Sequence, residues 1–315
     1  MNKTLFIVAI LISNFDFAQN LVPNPSFEVF DTCPTAFSTS GNYQIDYALG
    51  WYSPTFATSD YYNSCNIGSV GVPSNGLGYQ LAFDGNGYVG ILLLVETGEP
   101  SWFEYIQAKL NSSLTQGLSY RLSFNVNLSN GSDYAIQKIG AWFTKTSVNS
   151  NDSKPLFNVM PQIVSNNGFI TDTVGWTTIE GNFIADGDEE YITIGFYSDT
   201  TSMDTITSVP GATPSLINSY YYIDGLELEE VEQAIVIPNI ITPNGDGTND
   251  IFQLNFPYER MVIYNRWGQQ LFESNSNEFD WNGRTTNGNE LVEGTYYYLI
   301  TTKEETFKGF VQVIR

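Results

Sequence analysis

The sequence predicts an all-β protein made of two consecutive sandwiches. Almost no segment carries the 3.6-residue apolar period of an amphipathic helix. Short alternating or apolar runs sit instead between clusters of Gly, Pro, Asn, Asp and Ser, the pattern of antiparallel strands joined by turns. Composition then shifts at the acidic stretch Glu227-Leu228-Glu229-Glu230-Val231-Glu232-Gln233, and Pro238 opens a new block, which places a linker there. Three parts follow: residues 1–19, 20–232 and 234–315.

The first part reads as a secretory signal. Met1-Asn2-Lys3 is a short positive start, Thr4 to Ile12 is apolar, and cleavage falls after Ala18 or Gln19. The apolar run is too short to span a bilayer, which takes roughly 20 residues. No cysteine follows it, so a lipid anchor is not expected. Nothing downstream reads as a transmembrane segment: Ile91-Leu92-Leu93-Leu94-Val95 is a short apolar run that reads as a buried strand.

Within 20–232 the clearest strands are Trp102–Leu110, Tyr120–Leu128, Ile136–Phe143 and Tyr191–Tyr197. Alternation in the second puts Tyr120, Leu122, Phe124, Val126 and Leu128 on the core face. It leaves Arg121, Ser123, Asn125 and Asn127 outside. In the first, Ile106, Ala108 and Leu110 face inward, with Phe103, Tyr105, Gln107 and Lys109 outward.

Charge and composition exclude several functions. Twelve basic against 34 acidic residues give a net charge of -22, which argues against nucleic acid and against anionic membrane surfaces. It is compatible with neutral glycans or divalent cations. The chain has no histidine, which removes Ser-His-Asp and Cys-His mechanisms and His-ligated metals. In an oxidising compartment Cys33 and Cys65 are a candidate disulfide; two free thiols are the alternative.

Leu21-Val22-Pro23-Asn24-Pro25-Ser26-Phe27-Glu28, Gly50-Trp51 and Tyr221-Tyr222-Ile223-Asp224-Gly225-Leu226 resemble the first and last strands of jelly-roll carbohydrate-binding modules. The block also resembles the N-terminal region of Bacteroidetes surface proteins that carry NPSFE, DYYNSC, VGVP, EYIQAKL and YYIDGLEL in this order. The resemblance implies a galactose-binding-like jelly roll and leaves activity open.

The 234–315 block carries Pro238-Asn239-Ile240-Ile241-Thr242-Pro243-Asn244-Gly245-Asp246-Gly247-Thr248-Asn249-Asp250, then Tyr264-Asn265-Arg266-Trp267-Gly268. Trp281-Asn282-Gly283, Gly294-Thr295-Tyr296-Tyr297-Tyr298 and Lys308-Gly309-Phe310 follow. Order and spacing resemble the gliding-motility-associated type B sorting domain of the type IX secretion system. That resemblance implies recognition by the secretion machinery, export to the cell surface or medium, and removal of the domain afterwards. The turn chemistry and the β-branched, aromatic strand Thr295–Ile300 suit a small immunoglobulin-like sandwich.

Glycan binding calls for flat rings that stack on sugars beside groups that bond hydroxyls. The candidates are Trp51, Tyr52, Tyr61, Tyr62, Tyr88, Trp102, Tyr105, Gln107, Arg121 and Asn125, with core packing as the plain alternative for each ring. Glu28 and Asp224 occupy the places where jelly-roll binding modules hold a structural Ca²⁺ between first and last strands. Asn244–Asp250 lacks the spacing and distal Glu of a calcium loop and reads as a turn. Asp172-Thr173-Val174, Asp199-Thr200-Thr201 and Asp204-Thr205-Ile206 resemble O-glycan acceptors of Bacteroidetes envelope proteins. No G-x-S-x-G, P-loop or dinucleotide fingerprint sits in a fitting context, so the chain reads as a non-enzyme that binds glycan. A structural or adhesive surface component is the alternative, and a carboxylate-based glycoside hydrolase the weaker one.

Overall fold

A computed structural model describes residues 19–96, 99–156, 159–166, 168–197, 205–207, 216–232, 235–275, 281–303 and 305–315. Residues 1–18 of the expected secretory signal, and Asp199-Thr200-Thr201 and Asp204 of the expected glycan acceptors, lie outside the described residues. The chain divides into two compact units after Val231. No helix among the described residues is long and apolar enough to cross a membrane.

The N-terminal unit is a sandwich of two sheets around one core. The first sheet sets Trp51–Tyr52, Ile106–Lys109, Tyr191–Phe196, Ile139–Thr144 and Ile163–Val164 side by side. The second runs Thr177–Ile184, Ser119–Leu128, Leu216–Val231, Gly87–Glu96 and Asp60–Asn63, with Glu99–Phe103 paired to Gly87–Glu96. Ile106, Ile139, Ile192 and Ile194 of the first sheet meet Ile91, Leu122, Phe124, Val126 and Ile223 of the second in a shared buried cluster. Period-2 alternation dictates this: one face of each strand is apolar and only a second sheet can bury it. Cys33 and Cys65 are bonded to each other.

The outer face of the second sheet is covered too. Tyr62, Tyr88, Tyr220 and Tyr222 form a separate buried cluster with Val70, and Phe37, Val72, Leu77 and Trp176 pack against it. The Ser74–Asn75 and Gly78–Tyr79 hairpin belongs to this cover.

Two expectations about strand faces are corrected. Trp102–Leu110 is not one strand. Glu99–Phe103 pairs with Gly87–Glu96 in one sheet, whereas Ile106–Lys109 pairs with Trp51–Tyr52 and Tyr191–Phe196 in the other. The chain crosses between sheets at Glu104-Tyr105, which breaks the alternation, so Phe103, Tyr105 and Gln107 are buried along with Ile106 and Ala108. On Ser119–Leu128 the apolar face is inward as expected, but Asn125 and Asn127 on the other face are also buried. Asn127 donates to the Asp172 and Gly175 carbonyls, which seals that face under the 172–176 segment.

The C-terminal unit contains one five-stranded sheet, in the order Ile240–Ile241, Thr306–Val313, Gly294–Thr301, Arg260–Tyr264 and Gln270–Ser274. The first pair is parallel and the rest antiparallel. Isolated bridges, Phe252 with Trp281 and Arg284 with Glu290, lie outside this sheet. Trp281 and Phe252 are fully buried in this unit's own core.

Candidate functional site

The site is built on the first sheet, from Trp51 and Tyr52 outward. Gly50, at φ +92°, closes the turn that leads into the strand. Trp51 points inward, packs on Phe27 with ring centroids 5.0 Å apart, and donates its indole N–H to the Asn24 carbonyl at 3.1 Å. Alternation therefore turns Tyr52 outward. Its hydroxyl donates to Gln107 Oε1 at 2.9 Å.

Gln107 does not face solvent; it clamps a wall. Its amide nitrogen donates to Thr193 Oγ1 at 3.1 Å and to the Val148 carbonyl at 3.3 Å, and its oxygen accepts the Val148 N–H at 3.0 Å. The segment that follows is laid against its neighbours by further backbone bonds. Ser150 N donates to the Pro54 carbonyl at 2.9 Å, and Phe56 N to the Asp152 carbonyl at 3.0 Å. Tyr105 helps from below, donating to the Phe196 carbonyl at 2.8 Å and accepting from Leu156 N at 3.1 Å.

Between this wall and the 43–56 segment lies an open cleft of about 350 Å³. Tyr43, Tyr52 and Phe56 supply rings, and Asp46, Ser53, Asn149 and Asn151 supply polar groups. Phe56 is 48% exposed. Partial burial without a bonded partner raises the Asp46 carboxyl above its ordinary value. Burial, then the nearby Tyr191, raises the Tyr52 hydroxyl. Ser53 Oγ is buried with no hydrogen-bond partner, an exception to the rule that buried polar atoms are paired.

Of the ring and polar candidates read from the sequence, only Tyr52 lines this cleft. Trp51, Tyr61, Tyr62, Tyr88 and Tyr105 are buried core or cover. Trp102 is half-buried and donates its N–H to Glu104 Oε1 at 3.1 Å. Asn125 is buried and donates to the Gly225 carbonyl at 3.2 Å while accepting from Thr178 Oγ1 at 2.7 Å. Arg121 is exposed and pairs with Glu180 and, at 3.9 Å, with Glu229. Tyr43, Asp46, Ser53, Phe56, Asn149 and Asn151 were not legible as a set, because the segments 43–56 and 147–151 lie far apart in the sequence and only the fold brings them together.

Glu28 and Asp224 do converge on one loop. Asp224 Oδ2 accepts the N–H groups of Phe83 and Asp84 at 2.8 and 3.0 Å, and Oδ1 accepts that of Gly225 at 2.7 Å. Glu28 Oε1 accepts those of Asn86 and Gly87 at 2.6 and 2.7 Å. These N–H donors tie the first and last strands to the 83–87 loop. Five backbone N–H groups thus donate to the two carboxylates and occupy lone pairs that a Ca²⁺ ion would otherwise share. Among the described residues no group of three or more His, Cys, Asp or Glu stands ready to hold a metal. Of the expected glycan acceptors, Thr173 in the 172–176 segment and Thr205 in the strand Thr205–Thr207 are both half-buried.

In the C-terminal unit the loop Asn244–Asp250 folds around its own carboxylate. Asp250 accepts the N–H groups of Asn244, Gly245 and Gly247 at 2.9, 2.7 and 2.8 Å, and these bonds hold its carboxyl below the usual range. Gly245 and Gly247, at φ +81° and +84°, supply the left-handed turns, and Asn249 follows at +54°. Asn265 Oδ1 accepts Trp267 N and Gln269 N at 3.0 Å, shaping a hairpin whose φ +79° position is Gly268. Residues 235–313 match the CHU_C Type IX secretion signal domain, a quarter of the chain. The C-terminal unit is a type IX secretion signal domain.

Within this secretion signal domain the motif residues divide by role. Trp281 is core, its N–H bonded to the Arg284 carbonyl at 2.8 Å. Gly283 takes φ +75°, Gly294 begins a strand, and Gly309 leaves room for the Tyr298 ring. Pro243 offers its carbonyl to Arg315 at 3.4 Å. Others face out: Trp267 is 75% exposed with the Arg266 guanidinium 4.2 Å over its ring, and Lys308 is exposed beside Tyr264's register partner strand.

No curated protein matches the chain. Solved structures similar to it include the CBM22-1 xylan-binding domain from Paenibacillus barcinonensis Xyn10C (12% identity, 67% of this chain and 94% of that one, TM-score 0.34). The K1 cleaved adhesin domain of Lys-gingipain from Porphyromonas gingivalis W83 matches at 13% identity over 66% and 96%, TM-score 0.30. The family 11 carbohydrate-binding module from Clostridium thermocellum matches at 10% over 59% and 92%, TM-score 0.29. These are binding modules and an adhesin domain. At such identities and scores the likeness says nothing of a ligand, which has to be read from the site.

Proposed function

We propose that the N-terminal unit is an extracellular glycan-binding module, carried out of the cell by the type IX secretion signal domain behind it. The observation that carries this reading is the cleft itself. Half-exposed rings at Tyr43, Tyr52 and Phe56 stand beside polar side chains that the protein leaves unbonded, which is the composition a sugar needs: an apolar face to stack on and partners for its hydroxyls. Binding without turnover is proposed because Asp46 is the one carboxylate among the lining residues, and glycoside hydrolysis works with two at about 5–10 Å.

Affinity electrophoresis of the full chain through gels containing soluble polysaccharides, with calcium and with a chelator, tests this. Retardation by at least one polysaccharide, weakened tenfold or more by Tyr52→Ala or Phe56→Ala, is the expected result. A folded, monodisperse protein retarded by none would overturn it. A protein-contacting adhesive role is the second reading, favoured by the exposed Tyr79, Leu81, Phe83 and Val174 on the other side of the sandwich.

A further inference from the structure

The polar groups of the cleft are open to a ligand. Several Asn side chains elsewhere are bonded internally: Asn24, Asn63, Asn75, Asn127 and Asn130 each donate an amide proton to a protein acceptor. In the cleft, among the described residues, the Asp46 carboxylate, Ser53 Oγ and the Asn149 and Asn151 amides have no hydrogen-bond or ion-pair partner. Asp46 follows directly on the buried Ile45, within the 3-10 turn Gln44–Tyr47, so its backbone is anchored while its head is exposed and uncommitted.

The chemistry of the lining restricts what that something is. No Lys or Arg lines the cleft, so an anionic ligand would bring its charge against Asp46 with nothing to offset it. A single ammonium held in an aromatic cage would need the rings gathered around one point. Among the described residues no ring pair in contact joins Tyr43, Tyr52 and Phe56 to one another. Spread rings suit an extended flat ligand. An ionised carboxylate has two oxygens, each an acceptor, and bonds to it are stronger than neutral ones. Two adjacent ring hydroxyls present two donors at matching separation.

Resting on the glycan-binding reading above, we infer that the cleft takes a neutral pyranose chain and that Asp46 grips a pair of vicinal hydroxyls on one sugar, while Tyr52 or Phe56 stacks on its ring. The class follows from the chemistry. Backbone residues of β-1,4-linked xylan or glucomannan keep free adjacent hydroxyls at positions 2 and 3. Internal residues of a β-1,3-linked glucan do not. Uronates and sulfated chains are excluded by charge.

The test compares gel retardation of the full chain by β-1,4-xylan, β-1,4-glucomannan, β-1,3-glucan, polygalacturonate and dextran sulfate. Each is run with the unaltered protein, Asp46→Asn and Phe56→Ala. Retardation by a β-1,4-linked neutral chain and not by the other three, with Asp46→Asn weakening it tenfold or more, is the result expected. Since the Asp46 head holds nothing internally, Asp46→Asn should keep the unaltered thermal midpoint, which separates loss of grip from loss of fold. Asp46→Asn binding like the unaltered protein, while Phe56→Ala does not, would overturn the role of Asp46 and leave glycan binding standing. Equal retardation by β-1,3-glucan or polygalacturonate would overturn the diol class. Retardation by none of the five overturns the neutral-chain inference, and the wider polysaccharide series decides the glycan-binding reading separately.

Discussion

At the scale of single residues, the same amino acids do different work according to what they are bonded to. Tyr105 looked like a ligand platform and is a beam: its hydroxyl ties Phe196 to Leu156. Tyr105→Phe should therefore lower stability by about 1–2 kcal/mol while leaving polysaccharide affinity unchanged, as urea denaturation and gel retardation would show side by side. Loss of binding with stability intact would return Tyr105 to the site. Asp224 is a second case. It is fully buried and satisfies three backbone N–H groups. Asp224→Ala leaves those donors unpaired and should cost at least about 3 kcal/mol, read as a lower urea midpoint at unchanged slope. Added calcium should not shift the midpoint of the unaltered protein; a rise of several degrees would restore the ion to the first and last strands.

At the scale of elements, the crossing at Glu104-Tyr105 organises the N-terminal unit. Glu104 is buried there and collects Thr58 N, Leu92 N and the Trp102 indole at 3.1, 2.7 and 3.1 Å, pinning the crossover between the two sheets. The disulfide Cys33–Cys65 acts on a different part, the stretch that carries the short strands Trp51–Tyr52 and Asp60–Asn63. It closes a loop of 32 residues. Replacing both cysteines by serine should lower stability by roughly 3–4 kcal/mol through the freed chain entropy of the unfolded state; calorimetry under non-reducing conditions checks it, and an unchanged midpoint would contradict it. The long strand Leu216–Val231 shifts register against Ser119–Leu128 between Asp224 and Glu227. At that irregularity Gly225 takes φ +60° with the Phe83 ring where a Cβ would stand.

At the scale of the whole molecule, buried acids make stability depend on pH. Burial raises Asp60; burial and then the nearby Asp60 raise Glu104; burial pushes Asp224 up to about 8 against the pull of its N–H donors. In each the folded value lies above the unfolded one of about 4. The folded protein therefore keeps protons that the unfolded chain has released, and their contribution is full below pH 4 and lost as pH rises toward 8. The chain's net charge of -22 pushes the same way. Denaturation midpoints should fall between pH 5 and pH 8; a rise would contradict the assignment. Export is the other whole-molecule property. A reporter carrying residues 232–315 behind a secretory signal should leave a cell that has the type IX machinery, and periplasmic retention would show that the secretion signal domain is insufficient alone.

The sequence by itself determined the β class, the division near Glu232 and the secretion signal domain, because alternation, turn residues and contiguous motifs are local properties of the chain. Asn244–Asp250 even closes on its own Asp250 within seven residues. It could not determine which face binds. That was decided when the chain changed sheets at Glu104-Tyr105 and when Gln107 drew the 147–151 segment over the first sheet, burying the rings that alternation had placed outside. Both are long-range events, in which the burial of a side chain is set by what packs over it and not by its place in the strand.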